Sequence, residues 1–585
     1  MNDLQPVALG DEPADLVLEG GQVYCSNRGA FLERDVAVVG NRIAALLEDG
    51  SDVVGPDTRV LSATDRVILP GLIDAHTHAD IHATTERMCP YLLAAGTTSI
   101  VTEPSGIGTV YGPEGLETFL EVTADLPLSV YHTVPPQPFV DTFEPARADE
   151  DELEGYASLL AHERVVGVAE IDWIHVVGRD SPVDALYERA AAEGVKIVGH
   201  GAGCRGDALR AFATVVDNDH EAITPEEVIE RAEHGIHVVG RCGSIRDDLA
   251  AVTEALEDVD PASVSLSTDG TWPTELVGGF GMAEVLRRTI EAGVEPGTAI
   301  DMATRNTAEH FGLEGRGVVA PGAHADLVVV DGLESMTVET VLVEGSIVVD
   351  GSPQVDPEVS YPDFVSNSID VTTGRDRFTA PVEAAPDGTV RAMEVGRGLL
   401  SLETAVEPAV GEGRYVPDPN ADVLSATLID RDPSTEDRAF TGFLTGFGLE
   451  SGAVATTNTW EVAGLVTVAA DPDDASLAAS HVASMGGGWA IVRDGEVVAD
   501  LPMPVAAFAA DRPVPEIAAE FETLEDALRE LGVDVDRPLL TVQTLTFPGV
   551  PALKLSTSGY ADVLSRSLVG LEVEAESKSE SEPPA

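Results

Sequence analysis

At 585 residues the chain is long enough for three or four domains with ample core. It carries 102 acidic against 34 basic residues, a formal net charge of −68, and its only lysines are Lys196, Lys554 and Lys578. With no basic stripe to meet phosphates, nucleic acid is excluded as a partner, and the sustained apolar periodicity excludes general disorder, which leaves a hydrated acidic surface of the halophilic type, whose repulsion salt screens.

Residues 15–66 read as short strands: Asp15–Glu19, Gly21–Tyr24 and Asp35–Val39, then a Gly40-Asn41 turn into Arg42–Leu46. The pattern returns at Ala325–Val330 and Thr340–Gly345. Two such blocks flanking a larger unit predict one composite β-domain, residues 1–66 with 318–350. Between them, over 67–317, strand-like and helix-like segments alternate as in a (β/α)8 barrel. The predicted barrel strands are Val67–Ala75, Thr97–Glu103, Leu128–Val134, Val165–Ile171, Lys196–His200, Thr214–His220, His237–Cys242 and Ser263–Asp269. Predicted helices include Glu152–Arg164, Asp184–Gly194, Pro225–Gly235, Arg246–Asp258, Met282–Gly293 and Ala299–Phe311. Residues 351–378, rich in Pro, Ser and Asp, read as a linker. A further α/β domain is expected over 379–571, with helices such as Leu477–Met485 and Glu516–Leu531, before an acidic disordered tail, 572–585. The fold class is therefore α/β: a TIM-like metal-dependent hydrolase barrel with a composite β-domain and an additional C-terminal α/β domain.

Cys25, Cys89, Cys204 and Cys242 form no C-x-x-C pair, so neither a thiolate zinc site nor a disulfide framework is expected. Met1–Asp15 lacks the basic and apolar parts of a secretory signal, and no stretch reaches the ~18 apolar residues of a membrane span. A soluble, cytoplasmic protein with no membrane partner is expected.

The chemistry starts at Leu69-Pro70-Gly71-Leu72-Ile73-Asp74-Ala75-His76-Thr77-His78, where i, i+2 spacing on a strand puts two imidazoles on one face. Alone, such a pair also admits a reading as surface or core histidines. In a barrel, however, catalytic groups gather where strands end. Glu170 ends strand four, His200 strand five, His220 strand six and Asp269 strand eight. Together with His76 and His78 they suit one or two divalent ions, which acidify a bound water and polarise an electrophile. Asp269 is placed to take that water's proton, Asp269 and Glu170 are the candidate catalytic carboxylates, and C–N hydrolysis is the natural reaction class. Gly201-Ala202-Gly203-Cys204-Arg205-Gly206 matches G-x-G-x-x-G. It follows a metal-type histidine in mid-barrel rather than opening a βαβ unit, so it reads as glycines clearing room beside the site and not as a dinucleotide site.

His76-Thr77-His78 after Pro70-Gly71-Leu72-Ile73-Asp74 resembles the amidohydrolase superfamily, and the chain as a whole resembles adenine deaminases. The similarity runs through Ala94-Ala95-Gly96-Thr97-Thr98, Asp219-His220-Glu221, Met302–Glu309 and Arg316–Gly322 with Ala325-Asp326-Leu327. It continues in Gly446-Phe447-Gly448-Leu449, Met485–Gly488 and Leu501-Pro502-Met503-Pro504, which resemble that family's additional domain. The resemblance implies conversion of adenine and water to hypoxanthine and ammonia by attack of metal-bound hydroxide. It implies a binuclear centre of Mn2+, Fe2+ or Zn2+ on His76, His78, Glu170, His200, His220 and Asp269, with Glu170 bridging, and a homo-oligomer acting on a small nucleobase. Residues expected to face the substrate are Asp80, Glu103, Ser105, Arg241 and Trp272. Pro104-Ser105-Gly106 stands where the family has Pro-His-Glu, Gly270 and Trp272 where it has a second Asp and a nearby His, and Trp460–Gly464 where it has His-Asp-x-His-Asn. These departures keep open a binuclear amidohydrolase acting on another aminated heterocycle or cyclic amide, or a binding protein without turnover.

Overall fold

The computed structural model describes residues 4–573 except 105, 144–145, 367, 432–437, 461 and 551. The expected tail therefore lies outside the described residues from 574 onwards. The chain forms two compact units: residues 1–141, 146–367 and 503–521 in the first, and 142–145, 368–502 and 522–585 in the second. Residues 503–521, inside the span expected to form the C-terminal domain, thus belong to the barrel-containing unit.

In the first unit, strands β1 (Leu16–Cys25), β2 (Ala30–Val39), β3 (Arg42–Leu47), β4 (Arg59–Ser62) and β5 (Val67–Pro70) build one outer sheet. Three later strands, β14 (Leu327–Val330), β15 (Val338–Val343) and β16 (Ser346–Asp350), complete it in the order β16-β15-β14-β5-β1-β2-β3, with β4 against β1. Its core joins the two sequence blocks directly: Leu16, Leu18 and Val23 pack with Val319, Leu327 and Leu342. The two strands expected at Asp15–Glu19 and Gly21–Tyr24 are one, β1, whose pairing shifts register between Leu18 and Gly21.

The barrel strands are β6 (Leu72–Thr77), β7 (Thr97–Thr102), β8 (Ser129–Val134), β9 (Val165–Asp172), β10 (Lys196–His200), β11 (Asn218–Asp219), β12 (His237–Arg241) and β13 (Val264–Ser267). They pair in parallel in sequence order, and the Asp269 amide donates to the His76 carbonyl at 3.1 Å where the first and last strands meet. Two strand expectations are corrected. Val67–Ala75 is divided between the outer sheet and the barrel, because the chain breaks at Gly71, where an added Cβ would fall 2.2 Å from Thr98 Oγ1. Strand six shrinks from Thr214–His220 to Asn218–Asp219, because Val215 and Val216 still donate to Phe212 in the last turn of the preceding helix. Among the helices, Ala299–Phe311 is two, Pro296–Met302 and Arg305–Phe311. Residues 351–378 hold two single 3₁₀ turns, Asp363–Ser366 and Arg375–Phe378, and no strand among the described residues.

The second unit is built on a mixed eight-stranded sheet that runs between Val390 and Pro502. The helix Pro472–Ser484 covers one face through Ala475, Ala478, Ala479 and Val482. Lys554, on the strand Leu553–Ser556 of a separate three-stranded sheet, is buried and donates from Nζ to the Thr544 carbonyl at 3.0 Å. Burial pushes its ammonium down to about 7. An unfolded lysine titrates near pH 10.4, so from about pH 7 to about pH 10 the unfolded chain holds a proton that the fold does not. Stability therefore rises with pH across that window. Lys554→Met is expected to flatten this slope, read as urea midpoints at about pH 7 and about pH 9.

Among the described residues, no helix is long and apolar enough to cross a membrane.

Candidate metal centre

All six expected ligands stand at the carboxyl ends of barrel strands, and all six are buried. His76, near the end of β6, and His78, one residue beyond it, lie together with ring centroids 5.1 Å apart. Across the barrel, Glu170 Oε2 lies 3.0 Å from His220 Nε2 and 3.5 Å from His76 Nε2, while its Oε1 lies 3.9 Å from His78 Nε2. Asp269 Oδ1 sits 3.4 Å from His76 Nε2 and 3.6 Å from His78 Nε2. Donor atoms close enough to share a cation therefore fall into three overlapping groups: His76, Glu170 and His220; His76, His78 and Asp269; and His200, His220 and Glu221.

Two observations fit a divalent cation. His76 Nε2 and Glu170 Oε2 are buried and have close polar neighbours but no well-aligned hydrogen bond, a costly arrangement unless something else satisfies them. The donors are imidazole nitrogens and carboxylate oxygens, which suit first-row divalent metals. Burial and the neighbouring His220 push His76 down to about 4, so its imidazole is neutral and has a lone pair to give. His78 goes the other way: burial opposes its charge, but Asp269 and Glu170 outweigh it and raise the imidazole to about 9. Against the same cost of burial, Glu170 is held well below the carboxylate range by His220, His200 and His76. Asp269 is held there by His76, His78 and Arg241.

Asp269 has φ +58°, the left-handed region that an aspartate tolerates better than most residues. Gly270 follows at φ +92°, with its Cβ direction 3.8 Å from the His78 backbone. This turn puts the carboxylate into the mouth. Asp74 supports it from below, accepting from the Thr268 amide at 3.0 Å and the Thr268 hydroxyl at 2.5 Å.

The residues expected to face substrate have well-defined neighbours. Asp80 Oδ2 accepts from the Gly106 and Ile107 amides, each at 3.0 Å, while its Oδ1 is buried without a hydrogen-bond partner. Glu103 Oε2 accepts from the Glu170 amide at 2.7 Å, and its Oε1 lies 3.5 Å from His76 Nδ1, so it braces Glu170 and His76. Burial and Glu170 push it up to about 8. Arg241 joins Glu221, Asp269 at 3.2 Å and Asp248 at 2.8 Å. Trp272 packs on His82, with ring centroids 4.5 Å apart, and on Phe521 at 4.9 Å. Ser105 lies outside the described residues.

Glu221, Asp172 and His175 are part of this site and were not expected as site residues. Glu221 Oε1 is 3.2 Å from His200 Nε2 and 3.8 Å from His220 Nε2. Its signal is adjacency to His220 just past a short strand, and for Asp172 it is i, i+2 spacing from Glu170. The glycine-rich Gly201–Gly206 segment serves packing at its first residue. Gly201 donates to Asp219 Oδ1 at 2.9 Å, and an added Cβ would fall 2.5 Å from Asp219 Oδ2 and 3.1 Å from Arg231 NH2. The Asp219–Arg231 pair it admits is fully buried. Arg231→Met would strand the Asp219 charge and is expected to cost about 3–5 kcal/mol, read as a lower denaturant midpoint.

The amidohydrolase family matches residues 67–348, and the adenine deaminase C-terminal domain matches residues 399–567. The adenine deaminase of Moorella thermoacetica is 32% identical over 585 residues, covering 97% of each chain. That of Methanothrix thermoacetophila is 32% identical over 574 residues, 96% of this chain and 98% of the relative. Among solved structures, the β-aspartyl dipeptidase of Fervidobacterium islandicum covers 58% of this chain and 98% of its own at 18% identity and a TM-score of 0.47. With the amidohydrolase barrel and the additional domain both matched, and full-length relatives sharing nearly a third of its residues, the chain belongs to the adenine deaminase family.

Proposed function

We propose that the protein hydrolyses adenine to hypoxanthine and ammonia. The observation that carries this reading is the convergence of buried imidazoles and carboxylates at the barrel mouth of an adenine deaminase family chain. His76, His78 and Asp269 would hold one cation, His200 and His220 a second, and Glu170 would stand between them. Mn2+, Fe2+ or Zn2+ would supply an acidified water and draw electron density from the amino-bearing carbon.

The remaining work falls to the protein. Asp269 takes a proton of the attacking water and returns it to the amino group, so oxygen replaces nitrogen on the ring and ammonia leaves. Arg241, 3.2 Å from Oδ2, fixes the orientation of that carboxylate. Asp80 Oδ1, buried and without a hydrogen-bond partner, offers an acceptor to the base, and Trp272 offers an aromatic face. Glu103 acts from behind, bracing His76 and Glu170. The protein would act as a cytoplasmic homo-oligomer, and sedimentation at high salt tests its assembly.

The experiment is a base panel with the manganese-, iron- or zinc-loaded protein at high salt, following ammonia and base absorbance. Adenine converted to hypoxanthine is the expected result. Ammonia from a different aminated heterocycle alone would favour the alternative substrate class. No turnover of any base would overturn the reading.

A further inference from the structure

The fourth barrel strand ends Glu170-Ile171-Asp172, and alternation turns both carboxylates to the same side. They meet different partners. Glu170 faces His76, His78 and His220, whereas Asp172 faces His200 and His175. The parallel register of β9 and β10 sets His200 beside Asp172, and Asp172 Oδ1 lies 2.8 Å from His200 Nδ1. Its Oδ2 lies 3.7 Å from Nε2 of His175, on the single helical turn Trp173–Val176 that follows the strand. Asp172, His175 and His200 are 4%, 4% and 5% exposed, so water does not dilute these contacts. The opposite edge of the His200 ring, Nε2, is the one turned to the centre, 3.2 Å from Glu221 Oε1.

A neutral imidazole has one N–H and one lone pair, and the group facing one nitrogen decides what the other can do. A carboxylate against Nδ1 keeps the proton there and frees the Nε2 lone pair for a cation. We propose that Asp172, steadied by His175, is a positioning residue that fixes the ring orientation and tautomer of His200, making it an Nε2 ligand of the second cation. The proposal rests on reading His200 as a ligand but not on adenine as the substrate. It differs from a purely structural Asp–His contact, which would anchor the Trp173–Val176 turn and leave cation binding unchanged.

The test uses the full chain, stripped by chelator and titrated with Co2+. It reads affinity by competition and ligand field by visible absorption. Asp172→Ala is expected to weaken one of the two cations by about 10- to 100-fold and to change the cobalt spectrum. Asp172→Asn keeps an oxygen towards Nδ1 and is expected to lose less, and His175→Gln less again. Unchanged Co2+ affinity and spectrum in Asp172→Ala would overturn the proposal. If circular dichroism shows that Asp172→Ala does not fold, Asp172→Asn decides, and wild-type affinity and spectrum in that variant overturn it equally. The two readings fail separately. Altered cobalt binding in a protein whose wild type does not turn over adenine would remove the adenine reading alone, and unaltered cobalt binding with intact turnover would remove this proposal alone.

Discussion

Asp269→Asn is expected to lower kcat with adenine by about 10²- to 10⁴-fold, the usual range for losing a positioned general acid–base, while the protein stays folded. The asparagine keeps the volume and one oxygen, so the His76 and His78 side of the site retains a donor near the 3.4 and 3.6 Å positions of Oδ1. It cannot take a proton at working pH. The anion that Arg241 meets at 3.2 Å is also lost, which leaves that guanidinium paired with Glu221 and Asp248 only. KM is expected to move much less than kcat, because the missing step is proton transfer. Metal content should be measured first, so that a lost cation is not counted as a lost base. A variant with full metal and wild-type kcat would remove Asp269 from the proton path.

Much of this centre is legible in the sequence because its geometry is local or strand-encoded. His76 and His78 come together at i, i+2 spacing where β6 ends, and Glu170, His200, His220 and Asp269 are found by asking what each parallel strand ends on. The less legible parts depend on where strands stop. β11 is only Asn218–Asp219, so His220 and Glu221 both lie beyond it. The rule that adjacent side chains point to opposite faces then no longer separates them, and Glu221 joins His200 and His220. Asp172 follows the alternation rule, but its meaning comes from the neighbouring strand: only the β9–β10 register shows that it faces His200. The outer sheet illustrates the same limit. Val67–Ala75 reads as one apolar strand, whereas the close approach of Thr98 to Gly71 divides it between two sheets. The placement of residues 503–521 with the barrel-containing unit is a long-range packing outcome that no local pattern announces.

Glu170→Gln tests the centre as a whole. The two oxygens of Glu170 face three imidazoles: His220 at 3.0 Å, His76 at 3.5 Å and His78 at 3.9 Å. An amide of the same shape keeps one oxygen but gives up the negative charge that a cation between those rings would meet, and its NH2 group cannot be a ligand. The variant is therefore expected to bind cations at least about 100-fold more weakly, beyond the loss typical of an outer-shell change, and to lose deaminase activity with them. Stability gives a readout that needs no substrate. A ligand held at about 1,000 times its dissociation constant stabilises the folded state by about 4 kcal/mol, so chelation should lower the thermal midpoint of the wild type by several degrees. In Glu170→Gln the same chelator should change the midpoint little, because little cation is bound to begin with. Equal chelator sensitivity in the two proteins would mean that the stabilising cation is held elsewhere, and Glu170 would lose its place at the centre of the site.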